Sequence, residues 1–237
     1  MADRTLLVFA PAPGEPSVSP FSTKAMILLT MAGLDYETKV GDSTKAPKKK
    51  LPVLIDGDET IPDSGFIRRH LETHYGVDFD AGLDARERAV ATAMVALVED
   101  RLYFAGLAER WLHNDNQAAL VTMLRRSGVP GPIAGLVTNI VRRSIRKTLH
   151  AQGHGRHSRE EGLRIGREAV AAVASQLGDR PFMMGDEPTG VDASVYPMVS
   201  SNIAPSFETA LKAVIEAHPN LMAYVERMGE RFPLPTG

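Results

Sequence analysis

Ser19 stands directly before Pro20 and Phe21, Lys50 and Leu51 stand before Pro52 and Val53, and Asp63 stands before Ser64. A serine followed by proline marks a helix start, because the hydroxyl caps free amides and the fixed φ of proline suits the first helical position. The same hydroxyl can donate a hydrogen bond to an anionic acceptor lying over the helix end, where unpaired amides and the helix dipole favour negative charge. Ser64 offers a second place of this kind, a hydroxyl together with backbone amides that suit a carboxylate. Pro52 heads an apolar run, a position where proline is ordinarily confined to strand edges. The chain contains no cysteine, so disulfides, thiolate metal sites and cysteine nucleophiles are excluded. Any thiol chemistry must use a thiol carried in by a ligand. Each segment also has a plain structural reading: Ser19-Pro20 and Asp63-Ser64 as ordinary N-caps, Pro52 as an edge proline, and Lys48 to Lys50 as a solvated basic run.

The elements around these residues follow from periodicity and punctuation. Thr5 to Ala10 is a continuous apolar run stopped by Pro11 and Pro13, the pattern of a strand buried on both faces. It is too short for a signal-peptide core or a membrane span. A proline-rich loop leads to Ser19, and a helix opening at Pro20 runs to Gly33. Leu34 to Val40 and Leu51 to Ile55 read as strands, Asp56-Gly57-Asp58 as a turn, and Glu59 to Ile61 as the returning strand. Asp63-Ser64 opens a helix through Tyr75, with Phe66, Ile67, His70, Leu71 and His74 as its inner face. The order strand, helix, strand, strand, strand, helix is that of a thioredoxin-like α/β domain with a mixed four-stranded sheet.

From Asp84 onward the strand signals stop. One long helix is predicted over Asp84 to His113, and further helices at Gln117 to Arg126, Ile133 to His150, Ser158 to Leu177, Val191 to Asn202, Glu208 to Glu216 and Leu221 to Met228. The change from mixed α/β to all-α predicts two domains, residues 1–76 and 84–237, joined by a linker at 77–83. Composition is that of an ordinary globular protein, with 43% hydrophobic and 24% charged residues, and the net charge of -2 points to no nucleic-acid partner. Cytoplasm is the expected setting.

In order and spacing the three segments resemble the glutathione site of the glutathione transferase superfamily. The resemblance implies glutathione as cosubstrate and a cis Pro52 that turns the backbone of Leu51 outward, to pair with the cysteinyl backbone like an added strand. It places Ser64 on the γ-glutamyl carboxylate and Asp63 toward the γ-glutamyl amine, one methylene shorter than the glutamate many transferases carry there. Lys49 and Lys50 fall where plant-type enzymes place a lysine against the glycine carboxylate. Ser19 falls where the serine-type classes stabilise the thiolate. A free thiol titrates near pH ~8.5, so lowering it by about two units is worth roughly 2.7 kcal/mol. One hydroxyl supplies part of that, and the amino end of the Pro20 helix must supply the rest. Ser22 is the weaker candidate.

A narrower resemblance spans nearly the whole chain. Ser19 to Lys24, Met31 to Leu34, Lys50 to Pro52, Asp63-Ser64 and above all Gln152 to Ser158 are similar to the branch that contains the failed axon connections proteins and metaxins, which often has cysteine where Ser22 stands. Two functions are therefore expected to compete: conjugation of the glutathione thiolate to a small hydrophobic electrophile, and a non-catalytic adaptor on the same fold. The superfamily's habit implies a homodimer. Thr189 and Asp192 are similar to the family's helix-capping segment, with Thr189 capping and Asp192 reaching back to free amides. Tyr103, Phe104 and Trp111 are candidates to line a hydrophobic pocket. His70 and His74 have a metal-compatible spacing, but no third ligand is evident and no metal is expected. The stretch Gln117 to Arg159 holds eight arginines and lysines and no acidic residue. Its helix carries Arg142, Arg143, Arg146 and Lys147 beside Ile133, Leu136, Val137, Ile140, Val141 and Ile145. The apolar stripe is expected to pack inside the second domain, with its charges solvated or facing residues 56–63, and membrane contact is not expected.

Overall fold

Strand β1 (Arg4–Val8) lies inside a four-stranded mixed sheet of order β2-β1-β3-β4, in the computed structural model, which describes residues 4–235. Met1 to Asp3 and the last two residues lie outside the described residues. β2 (Glu37–Val40) runs parallel to β1, and β3 (Val53–Asp56) and β4 (Glu59–Pro62) run antiparallel to their neighbours. Helix α1 (Pro20–Met31) connects β1 to β2 as the crossover a parallel pair requires, and α2 (Ser64–Tyr75) follows β4. This is the thioredoxin-like arrangement expected from element order.

Among the described residues the rest of the chain is helical: α3 (Ala85–Leu97), α4 (Tyr103–Trp111), α5 (Gln117–Arg126), α6 (Gly131–Gln152), α7 (Arg159–Leu177), α8 (Asp192–Ser200), α9 (Ala210–Glu216) and α10 (Pro219–Arg231). The single helix expected over Asp84 to His113 is interrupted by a π-helical turn at Val98–Leu102. That turn carries Glu99, whose carboxylate pairs with the Lys24 ammonium of α1. Lys24 is only 3% exposed, so the pair lies largely away from water at the junction of α1 and the π turn.

The helix starts expected at Asp84 and Ser158 are closed by capping boxes. Ser158 caps α7 and exchanges hydrogen bonds with Glu161, and Asp84 does the same with Glu87 at α3. At α8 half of the expected box forms. Asp192 Oδ2 accepts from the Thr189 amide at 2.8 Å, but the Thr189 hydroxyl donates to the same oxygen at 3.2 Å instead of capping an amide. The other oxygen of Asp192 accepts from the Met183 amide at 2.9 Å and the Tyr224 hydroxyl at 3.0 Å.

The expected packing of α6 is not observed. Ile133, Leu136 and Ile140 are exposed, and the buried positions are Ala134, Thr138, Arg142 and Leu149. Val141 and Ile145 are half-buried against the cluster of Trp111, Leu120 and Phe207. In the first half of α6 small and polar residues therefore meet the rest of the protein and Ile133, Leu136 and Ile140 face outward, whereas Val141, Ile145 and Leu149 further along pack inward. Arg142 is also not solvated as expected, being 8% exposed and donating to the His113 carbonyl at 3.3 Å. No helix among the described residues is long and apolar enough to cross a membrane.

One hydrophobic core joins sheet and helices. It contains Leu6, Leu54, Ile67 and Leu71 together with Val98, Val170, Met198, Leu211 and Tyr224. The segment read as a linker is anchored, with Phe79 buried, its carbonyl accepting from the Gly190 amide at 2.8 Å, and Asp80 paired with Arg68 at 2.6 Å.

Candidate functional site

The three segments singled out by residue type emerge at one end of the sheet. The antiparallel register pairs Leu7 with Val53, which sets Val8 and Phe9 of the first strand's exit beside Pro52 and Leu51 at the third strand's entry. Val53 pairs in turn with Pro62, and the Asp63 amide donates to the Pro52 carbonyl at 3.1 Å, tying the start of α2 to the start of β3. The loop to α1 returns to the same place, because the Ser17 hydroxyl donates to the Phe9 carbonyl at 2.9 Å and accepts from the Ser19 amide at 3.2 Å.

The Leu51–Pro52 bond is cis. Among the described residues the amide and carbonyl of Leu51 make no hydrogen bond, although its side chain is buried with Ala46 and Val53. Ser64 is 4% exposed at the first position of α2, and its hydroxyl has no hydrogen-bond partner among the described residues. Asp63 caps α2 with φ +87°, in the region L-residues rarely adopt. Its Oδ1 accepts from the Gly65 amide at 2.9 Å and its Oδ2 meets Lys50 Nζ at 2.8 Å. Burial alone would raise the Asp63 carboxyl, but the Lys50 and Gly65 hydrogen bonds and the charges of Lys50 and Lys48 outweigh it and hold the group below its ordinary range. Lys50 is thus committed to Asp63. The rest of the basic run is partnered too, with Lys49 donating to the Thr44 carbonyl at 2.6 Å and Lys48 lying 3.8 Å over the Phe66 ring.

Ser19 is the N-cap residue of α1 by backbone position, yet its side chain makes no capping bond. Its carbonyl accepts from the Ser22 and Thr23 amides at 3.0 and 3.3 Å. The hydroxyl makes no hydrogen bond among the described residues, and of the first amides beyond Pro20 only that of Phe21 is left without a partner there. Ser22 is different: it is fully buried, and its hydroxyl has no partner among the described residues. Phe21 stands edge-on to Tyr103 of α4 with ring centroids 4.9 Å apart, and Tyr103 meets Phe104 at 5.1 Å. Tyr103 and Phe104 remain partly exposed, whereas Trp111 is a core residue. A cavity of ≈ 160 Å³ opens between the Pro11 to Pro13 turn, Met123 and Arg126 of α5, and Phe207, but Ser19 does not line it.

Glu15, in the loop before Ser19, was not legible as a functional residue. It is 4% exposed, and neither carboxylate oxygen has a hydrogen-bond partner among the described residues. Burial pushes it from 4.5 up to about 7, against the pull of the Arg110 charge. Arg110, lowered by the same desolvation, stacks 4.5 Å from the Phe207 ring. Burial also raises the Tyr103 phenol, opposed by Arg110, so the phenol keeps its proton at neutral pH. Between the ordinary carboxylate value and about 7 the folded chain retains a proton on Glu15 that the unfolded chain has released. Stability from this group is full below 4.5 and declines as pH rises toward 7, by a total of ~3 kcal/mol. Thermal melts of the wild type are expected to fall between pH 5 and pH 8, and Glu15→Gln to flatten that slope. Parallel pH profiles for the two proteins would show that Glu15 does not titrate there.

The family model described as glutathione S-transferase N-terminal domain matches residues 20–116, and the one described as glutathione S-transferase, C-terminal domain matches residues 166–228. The chain is 28% identical over 236 residues to an isoprene-epoxide–glutathione S-transferase of Rhodococcus sp. (strain AD45), covering 97% of this chain and 99% of that one. It is 31% identical over 242 residues to failed axon connections of Drosophila melanogaster, covering 96% of this chain but only 58% of that protein. Metaxin-1 of Mus musculus is 25% identical, over 94% of this chain and 75% of its own length. Rice GST1, solved in complex with glutathione, superposes with a TM-score of 0.60 at 20% identity, covering 99% of this chain and 92% of that one, a likeness of fold.

Proposed function

The chain belongs to the glutathione S-transferase superfamily, and from that premise we propose that it conjugates the thiolate of glutathione to a small hydrophobic electrophile. What supports the reading is the meeting, at one sheet end, of three uncommitted groups: the Leu51 backbone, the Ser64 hydroxyl above the α2 amides, and the Ser19 hydroxyl. In this proposal the Ser64 end of α2 holds the γ-glutamyl carboxylate with the help of the helix dipole. Leu51, held by the cis peptide at Pro52, pairs with the cysteinyl backbone as an added strand would. Asp63 accepts the γ-glutamyl amine, and Lys50, 2.8 Å from Asp63, turns toward the glycine carboxylate as the amine arrives. Ser19 donates its hydrogen bond to the sulfur.

Sulfur then attacks an electrophilic carbon, the bond to the leaving atom breaks, and the released anion takes a proton. Tyr103, protonated at neutral pH and packed on Phe21 beside Ser19, borders the side from which the electrophile arrives. An epoxide is the electrophile class carried in the name of the Rhodococcus relative, and is the first to assay. A homodimer and a cytoplasmic setting are part of the same proposal, to be checked by light scattering and by cell fractionation.

A second reading has its own observations: Lys50 and Asp63 are paired with each other, and failed axon connections and metaxin-1 are relatives. It is a non-catalytic adaptor on this fold. Calorimetry is expected to show glutathione binding with a thermal shift at millimolar ligand, and absence of both heat and shift would remove the glutathione reading. Binding without turnover of an epoxide or a chlorodinitrobenzene-type substrate would leave the adaptor.

A further inference from the structure

His70 and His74 lie one turn apart on α2, and the β3–β4 hairpin brings Glu59 to them. One ligand atom from each of the three lies within 4.8 Å of the others, which supplies the third ligand that sequence spacing did not reveal. We propose that Glu59, His70 and His74 form a binding site for a zinc-type dication, distinct from the glutathione site.

Three features point to a metal. First, the donor set is two imidazoles and one carboxylate, which suits Zn²⁺ with a fourth position left to water. Second, His70 is already oriented as a ligand. Its Nε2 lies 2.8 Å from Asp56 Oδ2, while its Nδ1 faces the Glu59 carboxylate at 3.7 Å. Asp56 is itself held in place, its Oδ2 accepting from the Tyr75 hydroxyl at 2.6 Å and its Oδ1 lying 3.3 Å from Arg4 Nε. A carboxylate on Nε2 fixes the proton there and leaves the Nδ1 lone pair toward the site, the support that metal-bound histidines ordinarily have behind them. Third, the set is part anchored and part adjustable. The His70 side chain is 9% exposed, whereas His74 and Glu59 are 55% and 60% exposed, with His74 Nδ1 4.0 Å from Glu59 Oε1. Metal bonds of about 2.0 to 2.2 Å require the two outer side chains to swing inward by roughly an ångström, and solvent-exposed rotamers allow it.

The site lies along α2 from Ser64, whose helix position is six and ten residues before the two histidines, or roughly 9 and 15 Å of helix rise. A metal there would clamp the far end of α2 to the hairpin without touching the glutathione contacts.

The test uses the full chain stripped with a chelator, without glutathione, whose thiol would compete for metal. Zinc chloride titrated calorimetrically is expected to bind one equivalent per chain and to raise the melting temperature, as any ligand of the folded state does. His74→Ala and Glu59→Ala, both at exposed positions, should each weaken zinc at least about tenfold while leaving metal-free melting and glutathione binding unchanged. Cobalt in place of zinc should give the visible absorption of a four-coordinate site in the wild type and lose it in His74→Ala. Absence of zinc binding overturns the proposal, as does zinc affinity that survives the Glu59→Ala, His74→Ala pair. Loss of binding only on replacing His154 and His157, whose ring centroids lie 6.1 Å apart, overturns it equally.

Discussion

Ser19→Ala is expected to lower turnover roughly tenfold to a hundredfold, about 1.4 to 2.7 kcal/mol of lost transition-state stabilisation, while glutathione affinity stays within a few-fold. The asymmetry follows from where the groups lie. Ser64 and the Leu51 backbone sit on the sheet end and α2, and the substitution leaves both untouched. What it removes is a hydroxyl with no other commitment, at the amino end of α1 beside the Phe21 amide. The thiolate absorbance of bound glutathione should then titrate at higher pH in the mutant. Ser22→Ala is the control: that hydroxyl is fully buried and unpartnered, so its removal should leave the midpoint unmoved. Equal midpoints in wild type and Ser19→Ala would take Ser19 out of the mechanism.

Asp192→Ala is expected to cost about 3 to 5 kcal/mol, the largest stability loss among the substitutions considered. Asp192 is fully buried and accepts four hydrogen bonds, from the amides of Met183 and Thr189 and the hydroxyls of Thr189 and Tyr224. Alanine leaves all four donors without an acceptor in a place water does not enter. For a chain of this length the melting temperature should fall by roughly 10 °C or more. A fall of less than about 2 °C would show that the neighbours repair the gap.

The local parts of this protein were readable because they are written in adjacent residues. Ser158 with Glu161, and Ser19 with Pro20, state a helix start within four positions, and α7 and α1 begin there. The same holds for the order of strands, since an apolar run followed by Asp56-Gly57-Asp58 and a return leaves little choice of pairing. The end of the sheet where Leu51, Asp63, Ser64 and Ser19 meet follows from that order. What was not readable depends on partners remote in sequence. Helical periodicity shows that α6 has an apolar stripe but not which stripe is covered, and Ala134 and Thr138 proved to be the covered side, with Leu136 outside. His70 and His74 looked incomplete because Glu59 and Asp56 arrive through a hairpin, not through helical spacing. Glu15 looked like an ordinary loop carboxylate, since nothing in the residues beside it announces burial or the approach of Arg110.

Helix α1 is covered on every side. Pro20 and all residues from Ser22 to Leu29 are buried, between the sheet below and α8 and the π turn above, with Lys24 held by Glu99. A helix without a wet face belongs to both layers at once, so neither layer has a complete interior when the other is absent. The chain should therefore lose its structure in one cooperative step, and an occupant resting only on the sheet end would strengthen the distant helices as much as the strands it touches.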